Sequence, residues 1–143
     1  MIVLDTNVVS EPWRPQPNAA VLGWLRLQPP NVLFLCTPVL AELRYGVERL
    51  PAGRRRDRLK ASVDQVEAEG YRDRILPLDA AAAAEFGRLT AEREKIGRRI
   101  STMDALIAAI TLAHGAMLAT RDTEDFSDLG FEVINPFGAT GDG

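Results

Sequence analysis

The chain has 143 residues, 46% of them hydrophobic and 26% charged, with a formal net charge of −3. These values suit one globular domain that buries a core without staples, and they exclude a disordered, collagenous or disulfide-rich chain. The weak negative charge gives no global sign of nucleic-acid binding, and no apolar run approaches the roughly 20 residues needed to cross a bilayer.

The first element is the apolar run Ile2-Val3-Leu4, which ends abruptly in Asp5-Thr6-Asn7. As a strand it carries the Asp5 carboxylate at its C-terminal end, the edge of an α/β sheet where ligands bind. Strand-like residues begin at position 2, with no basic segment leading into an apolar one, so no secretory signal is expected. The lone cysteine, Cys36, reads as a small buried hydrophobe. With no disulfide to form, the protein is expected in the cytoplasm.

Further strands are expected at Val32 to Leu35, Ile75 to Leu78, Met117 to Ala119 and Phe131 to Ile134. All are short, continuously apolar runs bounded by Pro, Gly, Asn or Asp. Helices are expected at about 18–28, 38–50, 54–69, 79–97 and 102–114. This alternation predicts an α/β fold with a mostly parallel central sheet of about five strands flanked by helices. A single domain over residues 1–137 is expected to contain them, with 138–143 a flexible tail.

Three further acids fall at places comparable to Asp5. In the helix from Pro38, residues Val39, Leu43, Val47 and Leu50 make an apolar stripe, and Glu42 lies on its flank in line with Tyr45 and Arg49. In isolation Glu42 reads as a surface acid paired with Arg49. Ser101-Thr102-Met103-Asp104 fits the capping-box pattern, so in isolation Asp104 reads as a first-turn acid favoured by the helix dipole. Met117-Leu118-Ala119 ends in Thr120-Arg121-Asp122, which repeats the design of the first strand, and Asp125 follows close behind. In isolation these are acids of a loop in which one Asp caps the next turn. The basic run Arg54 to Lys60 reads first as a solvated helix face, and secondarily as a rim that neutralises phosphates. Arg98-Arg99 forms a second basic cluster.

Four carboxylates converge with reason only if they hold a hard cation, and oxygen ligands suit Mg²⁺ or Mn²⁺. One Cys and one His, His114, cannot build a usual zinc site. His114 ends an apolar helix just before Gly115, the place of a helix C-terminus. The chain has neither of the common nucleotide-binding glycine motifs and no Gly-x-Ser-x-Gly turn. A phosphatase of the haloacid dehalogenase type would carry Asp-x-Asp at the first strand, where position 7 is Asn. The difference is small, and a small-molecule phosphatase stays as an alternative. In a metal site the acids fix an ion that generates hydroxide and stabilises a transferring phosphoryl group, so water attacks a phosphodiester without a protein nucleophile.

The motifs Asp5-Thr6-Asn7, Leu40-Ala41-Glu42-Leu43-Arg44-Tyr45-Gly46, Asp104-Ala105-Leu106-Ile107-Ala108-Ala109 and Thr120-Arg121-Asp122 ahead of Asp125-Phe126 together resemble a PIN-domain protein. Within that family the similarity is to the VapC/FitB-like toxins of type II toxin–antitoxin modules, and it runs from residue 1 to about 137. The resemblance implies a metal-dependent endoribonuclease whose catalytic acids are Asp5, Glu42, Asp104 and Asp122. It implies Mg²⁺, with Mn²⁺ as a substitute, on Asp5, Asp104 and Asp122, with Glu42 and Asp125 as further candidate ligands. Relatives often carry Asn where Asp122 stands and an acid three residues on, which keeps Asp125 open as the fourth carboxylate. Thr6, Asn7 and Thr120 would orient metal, water or phosphate. The resemblance places the first and fourth strands side by side, bringing Asp5 and Asp122 together. It also implies an RNA substrate, a homodimer, and a cognate antitoxin forming a heterotetramer or larger assembly that meets operator DNA only through the antitoxin. Trp13, Trp24 and Tyr45 are candidates for those protein surfaces and, singly, for ordinary core packing. A different class of reading is a PIN-like module that binds nucleic acid with an antitoxin and does not cut.

Overall fold

The computed structural model describes residues 1–138. The expected tail therefore lies, from residue 139 onward, outside the described residues. Five strands form one sheet in the order β3-β2-β1-β4-β5, where β1 is Ile2–Leu4, β2 Leu33–Cys36, β3 Ile75–Leu76, β4 Met117–Ala119 and β5 Val133–Ile134. Every pairing is parallel. The helices are α1 (Thr6–Ser10), α2 (Ala19–Leu27), α3 (Thr37–Glu48), α4 (Arg54–Gln65), α5 (Ala80–Lys95) and α6 (Thr102–Ala113). None of the helices among the described residues is long and apolar enough to cross a membrane.

Strands this short hold together because they are covered on both faces. Val3, Leu4, Leu35 and Leu118 are fully buried, joined in the core by Val39 of α3 and Ile107 and Ile110 of α6. A continuous apolar run, rather than an alternating one, is what double coverage demands. The chain proceeds from β1 to β2 and β3 on one side, then crosses to β4 and β5 on the other, so the order reverses between β1 and β4. Side chains at the carboxyl ends of those two strands face the crevice where such sheets bind ligands.

Register sets which side chains meet there. Ile2, Val3 and Leu4 pair with Met117, Leu118 and Ala119. The ladder continues one rung, Asp5 N donating to Ala119 O at 2.9 Å, so Asp5 and Thr120 leave the sheet together. On the other side Ile2 and Val3 pair with Leu33 and Phe34. Extending that register brings Cys36 beside Asp5.

Several boundaries differ from those expected. β2 begins one residue later and includes Cys36, because Pro30–Val32 forms a 3₁₀ turn first. β3 stops at Leu76 ahead of Pro77, which has no N–H to extend the ladder. β5 is confined to Val133–Ile134. The helix expected over 54–69 is α-helical only to Gln65 and finishes as a π turn, Val66–Gly70. Helix α1 and the 3₁₀ turn Glu11–Trp13 were not anticipated, being too brief for periodicity to register. The expected ends of α6 hold: Ala116 N donates to Thr111 O and Gly115 N to Leu112 O, with Gly115 at φ 61°, a Schellman closure.

One buried cation organises the segment after β4. Arg93 of α5 is 5% exposed. Its guanidinium donates to the carbonyl oxygens of Ser127 at 2.8 Å, Asp125 at 3.2 Å and Arg98 at 3.4 Å. Arg93→Ala is expected to cost roughly 2–4 kcal/mol, about one for each lost bond plus lost packing. The check is a lowered denaturant midpoint at unchanged m-value.

Candidate active site

Asp5 sits at the end of β1 as the N-cap of α1, its side chain accepting from Thr6 N at 2.8 Å. Its other oxygen accepts from Thr120 Oγ1 at 2.7 Å. Only 5% of Asp5 is exposed, so these donors replace most of its water. Asn7, two residues on, faces the same edge. Its amide donates to Asp122 Oδ2 at 3.1 Å, and reaches Asp5 Oδ2 and Thr120 Oγ1 at the outer limit of 3.5 Å. The Asn7 carbonyl oxygen accepts from Arg121 N at 3.2 Å, while Thr120 Oγ1 accepts from Asp122 N at 3.0 Å. The loop after β4 is thereby stitched to the start of α1.

Glu42 arrives on α3. Its partner is Thr6, whose hydroxyl donates to Oε1. The expected pairing with Arg49 is not formed. Arg49 instead lies over the Tyr45 ring, 5.7 Å from its centre. Asp104 stands in the first turn of α6, where Ser101 is the N-cap and its Oγ accepts from Asp104 N at 3.1 Å. The Ser101 half of the expected capping box is therefore formed, with Asp104 in the first turn as expected, and the cap also brings the acid to the sheet edge. Each of the three polar residues singled out in the sequence binds a different carboxylate: Thr6 holds Glu42, Asn7 holds Asp122 and Thr120 holds Asp5.

The charges interact. Burial pushes the Asp5 carboxyl up and Glu42 and Asp122 push it further, against the Thr120 and Thr6 hydrogen bonds. Burial first, then Asp5, Asp125 and Glu42, raise Asp104 to about 6, with Ser101 opposing. Burial, aided by Asp5 and Glu42, drives the Cys36 thiol up to about 12 despite a hydrogen bond from the Val39 backbone. Cys36 is thus no nucleophile. Asp125 belongs to the same field as the other acids, and its backbone is pinned by Arg93.

Among the described residues, none of Asp5, Glu42, Asp104, Asp122 and Asp125 forms an ion pair. Elsewhere acids do pair: Asp64 and Glu67 with Arg44, Glu48 with Arg56, Glu85 and Glu92 with Arg88. Nor are any three His, Cys, Asp or Glu side chains among the described residues gathered closely enough to hold a metal ion between them. Oxygen-only, loosely gathered acids suit a hydrated Mg²⁺-type ion that keeps several waters and takes one or two carboxylates directly. The donor set fits such an ion.

Residues 2–132 match the PIN domain. The chain belongs to the PIN-domain family. The VapC ribonuclease Y4jK of Sinorhizobium fredii is 41% identical over 137 residues, 96% of this chain and 98% of its own. Toxin FitB of Neisseria gonorrhoeae is 38% identical over 137 residues, covering 96% of this chain and 99% of its own. Among solved structures, FitAB bound to an IR36 DNA fragment superposes with a TM-score of 0.91 at 37% identity, covering 97% of each chain. PIN-domain ribonucleases generally depend on a divalent metal.

Two further residues support this PIN domain's acidic edge, Ser101, already marked by the capping-box pattern, and Arg93, which the sequence did not single out. Ser101 opposes the rise of the Asp104 carboxyl as well as capping α6, a role the capping-box pattern signals. Arg93 follows the buried Leu89 by four residues, which is the visible trace of a cation placed on a core-facing stripe. Trp13 and Trp24 pack against the core, as ordinary packing predicts, whereas Tyr45 is 66% exposed.

Because Asp104 titrates near 6 when folded and near 3.8 otherwise, the metal-free folded protein holds more protons than the unfolded chain between those values. Its contribution favours folding below about 3.8 and is lost as pH rises through about 6. Asp104→Asn is expected to stabilise the metal-free protein near neutral pH by on the order of 1 kcal/mol, a figure discounted for the solvent reaching this half-exposed group. The advantage over wild type should shrink as pH falls to about 5. Denaturant unfolding in EDTA at a series of pH values measures it.

Proposed function

We propose that this chain is a divalent-metal-dependent endoribonuclease, the toxin of a type II toxin–antitoxin module. The observation that carries the reading is an acid cluster held by hydroxyls and an amide and left without cationic partners at the switch point of the sheet. Asp5, Asp104 and Asp122 would hold Mg²⁺, or Mn²⁺ in its place, with Glu42 completing the catalytic set and Asp125 the alternative fourth carboxylate. A bound ion of this type supplies water of lowered pKa and neutralises charge on a phosphodiester.

The chain's own groups do the positioning. Thr120 and the Thr6 amide hold both oxygens of Asp5, fixing its plane. Thr6 aims Glu42, and Asn7 aims Asp122 while tying down the backbone of Arg121. Asn7 works here as a donor to an acid, a part no second aspartate plays, and this tells against the phosphatase reading. The full set of carboxylates tells against a module that binds without cutting.

The relatives' names add the biological frame. FitB is called a toxin, Y4jK a VapC ribonuclease, and the FitAB complex carries DNA. By that likeness the proposed partners are RNA as substrate, a cognate antitoxin, and a second copy of this chain in a homodimer. The assembly with antitoxin would be a heterotetramer or larger that reaches operator DNA through the antitoxin, in the cytoplasm.

Purified, antitoxin-free protein is expected to cut total RNA into discrete fragments with Mg²⁺ or Mn²⁺ and not with EDTA. Asp5→Asn should leave RNA intact while its circular dichroism matches wild type. Full activity in Asp5→Asn, or intact RNA with folded wild type and metal, would overturn the reading. Thr120→Val, which removes only the donor to Asp5, is expected to lower the cleavage rate roughly 10- to 100-fold.

A further inference from the structure

Helix α3 presents two different flanks beside its buried stripe of Val39, Leu43 and Val47. One flank is occupied: Arg44 bonds Asp64 and Glu67 at 2.6 Å each, and Glu48 takes Arg56 at 2.8 Å, which docks α4. The other side carries Glu42, Tyr45 and Arg49 at i, i+3 and i+7, close to one line along the helix. Glu42 belongs to the acid cluster, so Tyr45 stands one turn from it. The basic run Arg54 to Lys60 therefore belongs to the α4 side of α3, away from Glu42.

Tyr45 is 66% exposed in mid-helix, an unusual place to leave a large aromatic ring. Arg49 lies over that ring, 5.7 Å from its centre, and has no carboxylate partner among the described residues. A second arginine–aromatic pair flanks the cluster near Asp122, its ring partly buried against the core. Arg121, whose backbone is held by Asn7, lies 4.5 Å over the Phe137 ring. An exposed ring beside an unpaired guanidinium is the apparatus that stacks an unpaired base and meets its phosphate. A net-negative chain with an acidic centre repels the RNA backbone, so cations at its margin are where attraction must come from.

We propose that Tyr45 and Arg49 form a base-stacking subsite for single-stranded RNA next to the scissile phosphate, with Arg121 as the cation on the far side. The inference rests on the ribonuclease reading and names the form of substrate that reading requires: an unstacked, unpaired segment. Stacking tolerates any base, so the subsite selects single strands over duplex more than it selects sequence.

The test is binding of a short fluorescent single-stranded RNA of randomised sequence, and of its duplexed form, to Asp5→Asn protein, which cannot cut. Adding Tyr45→Ala should weaken single-strand affinity roughly tenfold or more, Tyr45→Trp should preserve it, and duplex affinity should change little. Arg49→Ala should reduce the salt slope by about one. In cutting-competent protein, Tyr45→Ala should raise KM with kcat nearly unchanged. Equal single-strand affinity in wild type and Tyr45→Ala overturns the proposal. So does loss of self-association or of antitoxin binding with RNA affinity intact, which would make Tyr45 a protein contact. If metal-dependent cutting persists while Tyr45→Ala is silent, only this inference fails. If binding depends on Tyr45 and wild type never cuts, the ribonuclease reading fails and the subsite stands.

Discussion

The parallel pairing of Ile2-Val3-Leu4 with Met117-Leu118-Ala119 is the constraint from which the acidic edge follows. It joins residues over a hundred positions apart and fixes their register, so that the next residue on each strand, Asp5 and Thr120, must leave the sheet as neighbours. A slip of one residue would turn every side chain of β1 to the opposite face. Burial of β1 and of Leu118 and Ala119 in β4 makes that slip costly, since it would trade Val3 and Leu118 contacts for a mismatch that carries Asp5 inward. The apolar core and the polar edge are thus one specification.

The edge then solves a problem of like charges. Carboxylates placed close together resist ionisation, and the usual remedy is an arginine or lysine among them. Here the remedy is neutral donors: two threonines, an asparagine and a capping serine, each bound to one acid or its backbone. Neutral donors orient a carboxylate without competing for it as a guanidinium would. Arg93 follows the same logic, because it braces the loop holding Asp125 through backbone carbonyls and leaves the carboxylate free. The cost falls on Asp104, which stays near 6 in the metal-free protein. Instability of this kind at a functional centre is a common trade against activity.

Much of this was legible in the sequence, for identifiable reasons. Apolar runs closed by an acid located β1 and β4, and the capping box located the start of α6 with Asp104 in its first turn. Resemblance among four motifs supplied the pairing of first and fourth strands that composition and periodicity alone do not determine. What was illegible depends on three-dimensional partners. Glu42 has Arg49 at a compatible helical spacing, yet its bond is to Thr6, thirty-six residues away in sequence. Helix α1 is too short to carry a period, and the π turn after Gln65 has no local sequence signal. Tyr45 lies at the surface, 66% exposed, an outcome that its helical position alone does not determine.

The central claim is that these acids are kept without cationic partners, with Asp104 raised to about 6, in readiness for a divalent cation. Calorimetric titration of Mn²⁺ into antitoxin-free protein, in buffers of different ionisation enthalpy at about pH 6 and about pH 8, tests it directly. The account predicts binding that releases more proton at the lower pH than at the higher, and less in Asp104→Asn than in wild type at the lower pH. Absence of Mn²⁺ binding at millimolar concentration, or binding whose heat is the same in every buffer at both pH values, would contradict it.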